Sequence, residues 1–168
     1  MPPVHRLYLE TSVFGFRFDE RAVNLEKRDA TRLLFSQVRL GIHRGYTSAA
    51  ALLEIERTSD RGLRDAIYRL IRDSHIELLE LPPDDQKQVS QLADAYVDAG
   101  AIPAAKLDDA IHIATMVVRP ELEVLVTWNC RHIANINVER RVRSITLAQG
   151  YEFNFRILTP EQVVVYEA

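Results

Sequence analysis

The chain has 168 residues, 47% hydrophobic and 27% charged, enough for one ordinary domain with a buried core and a solvated surface. Its formal net charge of −3 excludes a strongly basic nucleic-acid coat, so nucleic acid would be met by a local basic surface or through metal ions. A single cysteine, Cys130, excludes a disulfide framework and a cysteine-rich zinc site. No apolar run reaches the ~20 residues of a membrane span, and Met1–Arg6 lacks a basic-then-apolar signal pattern, so a cytoplasmic protein with no membrane contact is expected.

With no repeat or linker visible, residues 1–168 read as one domain. Leu7-Tyr8-Leu9 predicts a short buried strand. A helix follows over about Asn24–Leu40, with Ala30, Leu33, Leu34 and Val38 on one face and Gly41 as its stop. Gly45-Tyr46-Thr47 predicts a second strand, and Ser48 the N-cap of a helix carrying Glu54. Two amphipathic stripes, Leu63 to Ile71 and Val89 to Val97, enclose a third strand candidate at Ile76–Leu81. A helix from near Pro103 carries Asp109, the β-branched run Val124–Thr127 predicts a buried strand, and another helix is expected from about Arg131. A brief strand near Phe155–Ile157 and a final helix opened by Thr159-Pro160 complete the chain. Short apolar strands alternating with helices predict an α/β fold around a mostly parallel sheet, whose ligands sit beyond the carboxyl ends of the strands.

That rule draws attention to four residues. Glu10 follows the first strand, Asn129 follows the late one, Glu54 interrupts the apolar run Ala49–Ile55, and Asp109 opens an otherwise apolar helix. Each has a simpler reading: Glu10 as a turn cap, Glu54 as a solvated helix edge, Asp109 as a helix-dipole partner, Asn129 as a turn residue. Together, carboxylates on buried segments repel one another unless a divalent cation intervenes. Mg²⁺ or Mn²⁺ favours such hard oxygen ligands, and the ion suits phosphodiester hydrolysis by activating water.

The ordered set Tyr8-Leu9-Glu10-Thr11-Ser12-Val13, Thr47-Ser48 with Glu54-Ile55-Glu56-Arg57, Asp108-Asp109-Ala110-Ile111-His112-Ile113-Ala114, and Thr127-Trp128-Asn129-Cys130-Arg131-His132-Ile133-Ala134-Asn135 resembles a PIN domain. The likeness is to the branch whose last motif reads Trp-Asn followed by His-Ile-x-Asn. It implies a three-layer α/β/α fold with four to five strands and a Mg²⁺- or Mn²⁺-dependent ribonuclease leaving a 5′-phosphate and a 3′-hydroxyl. Many bacterial members resemble VapC toxins held by an antitoxin, and homodimers are common in the family. By position, Glu10, Glu54 and Asp109 would bind the metal, and Asn129 would orient the attacking water or close the ion's shell. Glu10 stands where Asp is commoner and Asn129 where many members keep a fourth acid. These departures keep open a second reading, a catalytically weak or inactive module that binds RNA or a protein partner. Asp108 would point about 100° away from Asp109.

His112 reads as a packed helix histidine, outside the catalytic set. Ser12 and Thr11 follow Glu10 and could hold its loop, Ser12 also reaching the metal through water; otherwise they cap the next helix. Cations comprise 18 Arg and three Lys, with a cluster at Arg140, Arg141 and Arg143. Arg17 and Arg21 flank Phe14 and Phe16, either a loop that stacks and guides a single strand or aromatics that bury a dimer face. Trp128 is equally a core residue and a base-stacking platform.

Overall fold

The computed structural model describes residues 4–166; the first three residues, read above for a targeting signal, lie outside them. Within the described residues five strands form one sheet: β1 (Arg6–Leu9), β2 (Arg44–Thr47), β3 (Glu77–Leu78), β4 (Val124–Val126) and β5 (Arg156–Leu158). Their order is β3-β2-β1-β4-β5, and every neighbouring pair is parallel. The sequence of β1 explains its central place. Leu7 and Leu9 enter one apolar layer and Tyr8 the other, all fully buried. In β4, Val124 and Val126 join Leu7 and Leu9, while Leu125 joins Tyr8. Strands buried on both faces read as continuous apolar runs, and each fully buried aliphatic side chain stabilises the fold by roughly 1.5–3 kcal/mol.

Among the described residues eight α-helices flank the sheet: α1 (Thr11–Phe16), α2 (Leu25–Arg39), α3 (Ala49–Glu56), α4 (Arg61–Asp73), α5 (Pro83–Asp98), α6 (Leu107–Val118), α7 (Ile136–Ala148) and α8 (Pro160–Val163). The Tyr8 face is covered by α5, α6 and α7 through residues such as Leu92, Tyr96, Ile113 and Val142. The opposite face meets α1, α2 and α4 through Phe14, Leu34, Phe35 and Ile67. The result is the expected three-layer α/β/α arrangement.

Local chemistry sets the boundaries. Ser48 caps α3 by accepting from the Ala51 amide, and Thr159 with Gln162 forms a capping box at α8. Gly41, at φ +77°, ends α2 in a conformation that costs a residue with a Cβ. A Cβ at Gly45 would lie 2.6 Å from Ile76 Cδ1 and 3.0 Å from Val38 Cγ1, so a side chain there would force these packed side chains to shift. The Gln37 amide brackets Val165, donating to its carbonyl at 2.7 Å and accepting from its N–H at 3.0 Å, which fastens the last described segment to α2.

Several expectations shift. The third strand is only two residues long, on the sheet edge. The helix expected from Arg131 begins at Ile136, because Asn135 caps it there and a turn occupies the preceding residues. Phe14 is wholly buried against Phe35, at a centroid distance of 5.7 Å, so it belongs to the core and neither stacks bases nor forms a dimer face. Trp128 is also core: it is 7% exposed and its indole N–H donates to Thr31 Oγ1 at 2.8 Å.

Candidate functional site

The central strands β1 and β4 end side by side, and β2 on the other side of β1 makes this the point where the chain's winding reverses. Open parallel sheets bind ligands beyond such an end. Glu10 leaves β1 there, its amide still donating to Val126 O at 3.1 Å. Its carboxylate is 4% exposed and caps α1 by accepting from the Ser12 amide. Ser12 Oγ donates to Oε2 at 2.5 Å and Thr127 Oγ1 donates to the same oxygen at 2.8 Å. Ser12 Oγ in turn accepts from the Trp128 amide, so hydroxyls from both strand ends fix the carboxylate in one orientation. The capping read for Glu10 and a carboxylate aimed over the rim are therefore the same arrangement.

Asp109 comes from the first turn of α6 and is 7% exposed. Its Oδ2 is buried without a hydrogen-bond partner among the described residues. Burial, and next the negative charge of Glu10, push its carboxyl above the ordinary range, while the Asn129 amide and the more distant His112 and His132 partly offset this. Asp108 behaves as its helical position predicts, turning outward to Arg57 at 2.8 Å.

Glu54, from α3, accepts from fully buried His112 at 2.5 Å between Oε1 and Nε2. The other ring nitrogen lies 2.6 Å from Tyr8 Oη, which also lies 2.7 Å from Ser48 Oγ. Burial lowers the His112 pKa, but the Glu54 hydrogen bond and the charges of Glu10, Glu54 and Asp109 outweigh it and leave it raised. His112 thus senses all three carboxylates. Tyr8 is pushed up, chiefly by burial, and stays a neutral phenol.

Asn129 occupies the rim differently from expectation. Its Oδ1 accepts from the His132 amide at 3.0 Å, closing the turn after β4, so the side chain's NH₂ end remains for the site. His112, Tyr8 and Thr127 were absent from the candidate set. The one sequence signal for His112 is its place three residues after Asp109, on the same helix face; its pairing with Glu54 spans 58 positions and carries no local pattern.

The fold resemblance implies a divalent cation, and the donors can be tested against it. The unpartnered Asp109 oxygen beside Glu10 offers two carboxylates, the number by which Mg²⁺ is usually held, with waters and substrate phosphates completing its shell. Among the described residues no group of three His, Cys, Asp or Glu side chains stands close enough to hold an ion, and Glu54 is committed to His112. The residues fit a cation that leaves coordination positions open, rather than a closed protein cage.

No protein-family model and no curated protein matches this sequence. Among solved structures, the chain is similar to the crystal structure of VapBC2 from Rickettsia felis bound to a DNA fragment from its promoter. The identity is 13% and the TM-score 0.58, over 92% of this chain and 98% of that one. At that identity the likeness is one of fold. With its five parallel strands between two helical layers, the chain has a PIN-like α/β/α fold.

Proposed function

We propose that the protein is a Mg²⁺- or Mn²⁺-dependent endoribonuclease that hydrolyses RNA phosphodiester bonds to 5′-phosphate and 3′-hydroxyl ends. The observation that carries this reading is the buried, unpartnered Asp109 oxygen next to Glu10 at the carboxyl end of the two central strands. Asp109 and Glu10 are the carboxylates that hold the cation. The chemistry it supplies when bound is activation of a water and neutralisation of the leaving oxygen. Ser12 and Thr127 keep the Glu10 carboxylate oriented, since both donate to it. Glu54, gripped by His112, presents a third negative charge at the same rim, and Tyr8 fixes the ring that grips it. Asn129 turns its NH₂ group toward Asp109 rather than supplying an oxygen to the ion.

The fold likeness to a VapBC complex supports a further part of the reading, that the chain is the toxin of a toxin–antitoxin pair restrained by an antitoxin. A cytoplasmic homodimer completes the proposal and rests on the sequence resemblance alone. The test is an RNA panel incubated with Mg²⁺, Mn²⁺ or EDTA. Cleavage is expected only with a divalent ion, and Asp109→Asn should lower it by about a hundredfold, the scale of losing one group that stabilises transition-state charge. Cleavage indifferent to both chelator and substitution ends the proposal. The commitment of Glu54 to His112 favours one alternative, a catalytically weak or inactive module that binds RNA or a protein partner. RNA held without turnover under any divalent ion would select it.

A further inference from the structure

Away from the carboxylate rim, a cleft of about 370 Å³ opens between the end of α1, α2 and α4. Its walls carry four guanidinium groups, Arg17, Arg32, Arg39 and Arg69, against one carboxylate, Asp73. Asp73 already accepts from Arg72 at 3.1 Å. Among the described residues Arg32 approaches a carboxylate only at 3.8 Å, from highly exposed Glu20, and its Nε is buried without a partner. Arg17, Arg39 and Arg69 make no ion pair among the described residues. Burial, then the like charges of Arg32 and Arg28, depress the pKa of Arg17. A solvated arginine face spreads its charges apart. Here they converge in a protein of net charge −3, and an orphaned N–H points to an acceptor that the described residues do not provide.

Oxygen-rich anions match this wall. Guanidinium forks bind phosphate with paired, charge-assisted hydrogen bonds. Phe18 lines the same cleft with the Arg17 guanidinium 5.3 Å from its ring centre, adding an aromatic surface of the kind that accompanies single-strand binding. The cleft is also tied to the rim: α1 begins beside Glu10 and ends at Arg17, six residues or roughly 9 Å of helix. One extended strand can touch both.

We propose that this arginine cleft is a phosphate-binding site for the backbone of single-stranded RNA, remote from the carboxylates and holding the strand that crosses them. The identity of the anion rests on the nuclease reading of the rim; the binding itself can be measured without cleavage. The experiment is fluorescence anisotropy of a labelled oligouridylate in EDTA over a series of NaCl concentrations. It compares the wild-type chain with the double variant Arg39→Gln, Arg69→Gln, both at exposed positions, and with a charge-matched control, Arg140→Gln with Arg156→Gln. Circular dichroism checks that each variant is folded. The cleft variant should bind about tenfold more weakly, and its slope of log affinity against log salt should fall by about 0.7 per cation removed. The control should match the wild type.

Equal affinity and slope in the cleft variant, equal losses in the control, or no wild-type binding would each overturn the proposal. Tighter, cleft-dependent binding of a polyglutamate peptide than of the oligouridylate would also overturn it, assigning the cleft to an acidic protein segment. The two readings fail separately. RNA bound through the cleft but never cleaved with Mg²⁺ or Mn²⁺ removes the nuclease alone. Metal-dependent cleavage with unaltered binding by the cleft variant removes the cleft alone.

Discussion

The two ends of the sheet treat their carboxylates in opposite ways. At the amino end, Glu123 accepts from the Arg6 amide at 2.8 Å and lies 3.5 Å from His5, while Arg44 pairs with Glu77 at 2.7 Å. The Arg6 hydrogen bond, foremost, lowers the pKa of Glu123. At the carboxyl end, Asp109 is buried beside Glu10 with one oxygen unmatched, and its pKa moves up. Neutralised charge is what a fold settles into when stability alone is at stake; like charges gathered in a dry place have to be held there by the rest of the structure. The contrast separates a neutralised end of the sheet from one where like charges gather, and perturbed carboxylates of that kind cluster at functional sites.

The largest effect that would sharpen this contrast concerns the ring behind the rim. His112→Ala leaves Glu54 without its buried partner and opens a void beside Tyr8. Urea unfolding should show a loss of roughly 2–4 kcal/mol. A loss below that range would mean that the His112–Glu54 contact contributes little.

Next comes Asp109→Asn, expected to stabilise the metal-free protein at neutral pH by about 1 kcal/mol, because it removes an unmatched buried charge. The raised pKa means that the folded state holds the Asp109 proton more tightly than the unfolded state does. Wild-type stability from this group is therefore full below the unfolded value and declines as pH rises through the folded value. The advantage of the variant should accordingly vanish on acidification. Thermal melts across pH read this directly, and adding Mg²⁺ should reverse the order by stabilising only the wild type. A variant less stable than wild type at neutral pH without metal would break the comparison.

The smallest effect belongs to the amino end. Glu123→Ala should cost less than about 1 kcal/mol, as expected for a half-exposed pair, and leave RNA cleavage unchanged. Its lowered pKa places this contribution above the unfolded carboxylate value, fading as pH falls through the folded one. Any effect of Glu123→Ala on cleavage would undo the division between the two ends.

The layers were legible in the sequence because β1 and β4 are buried on both faces and must be apolar throughout, and because α4 and α5 repeat their apolar residues at helical spacing. Glu10, Glu54 and Asp109 were legible as carboxylates bordering apolar segments. What they do locally was less so. That Glu54 meets His112, or that Asn129 spends its oxygen on the His132 amide, depends on side chains meeting across α3, α6 and the turn after β4. Phe14 misled for a related reason: adjacent arginines suggested a surface, whereas α1 turns that ring inward against α2. The arginine cleft escaped notice because its cations come from three separated helical segments and form no run.

Glu10 has two duties in one carboxylate: it starts α1 through the Ser12 amide, and its charge helps push the Asp109 pKa up. If the proposed reaction were lost in a descendant, the chain would still need an acceptor to begin that helix. The glutamate would then persist as an architectural relic, while Asp109, whose buried charge burdens the metal-free fold, would be the first to drift.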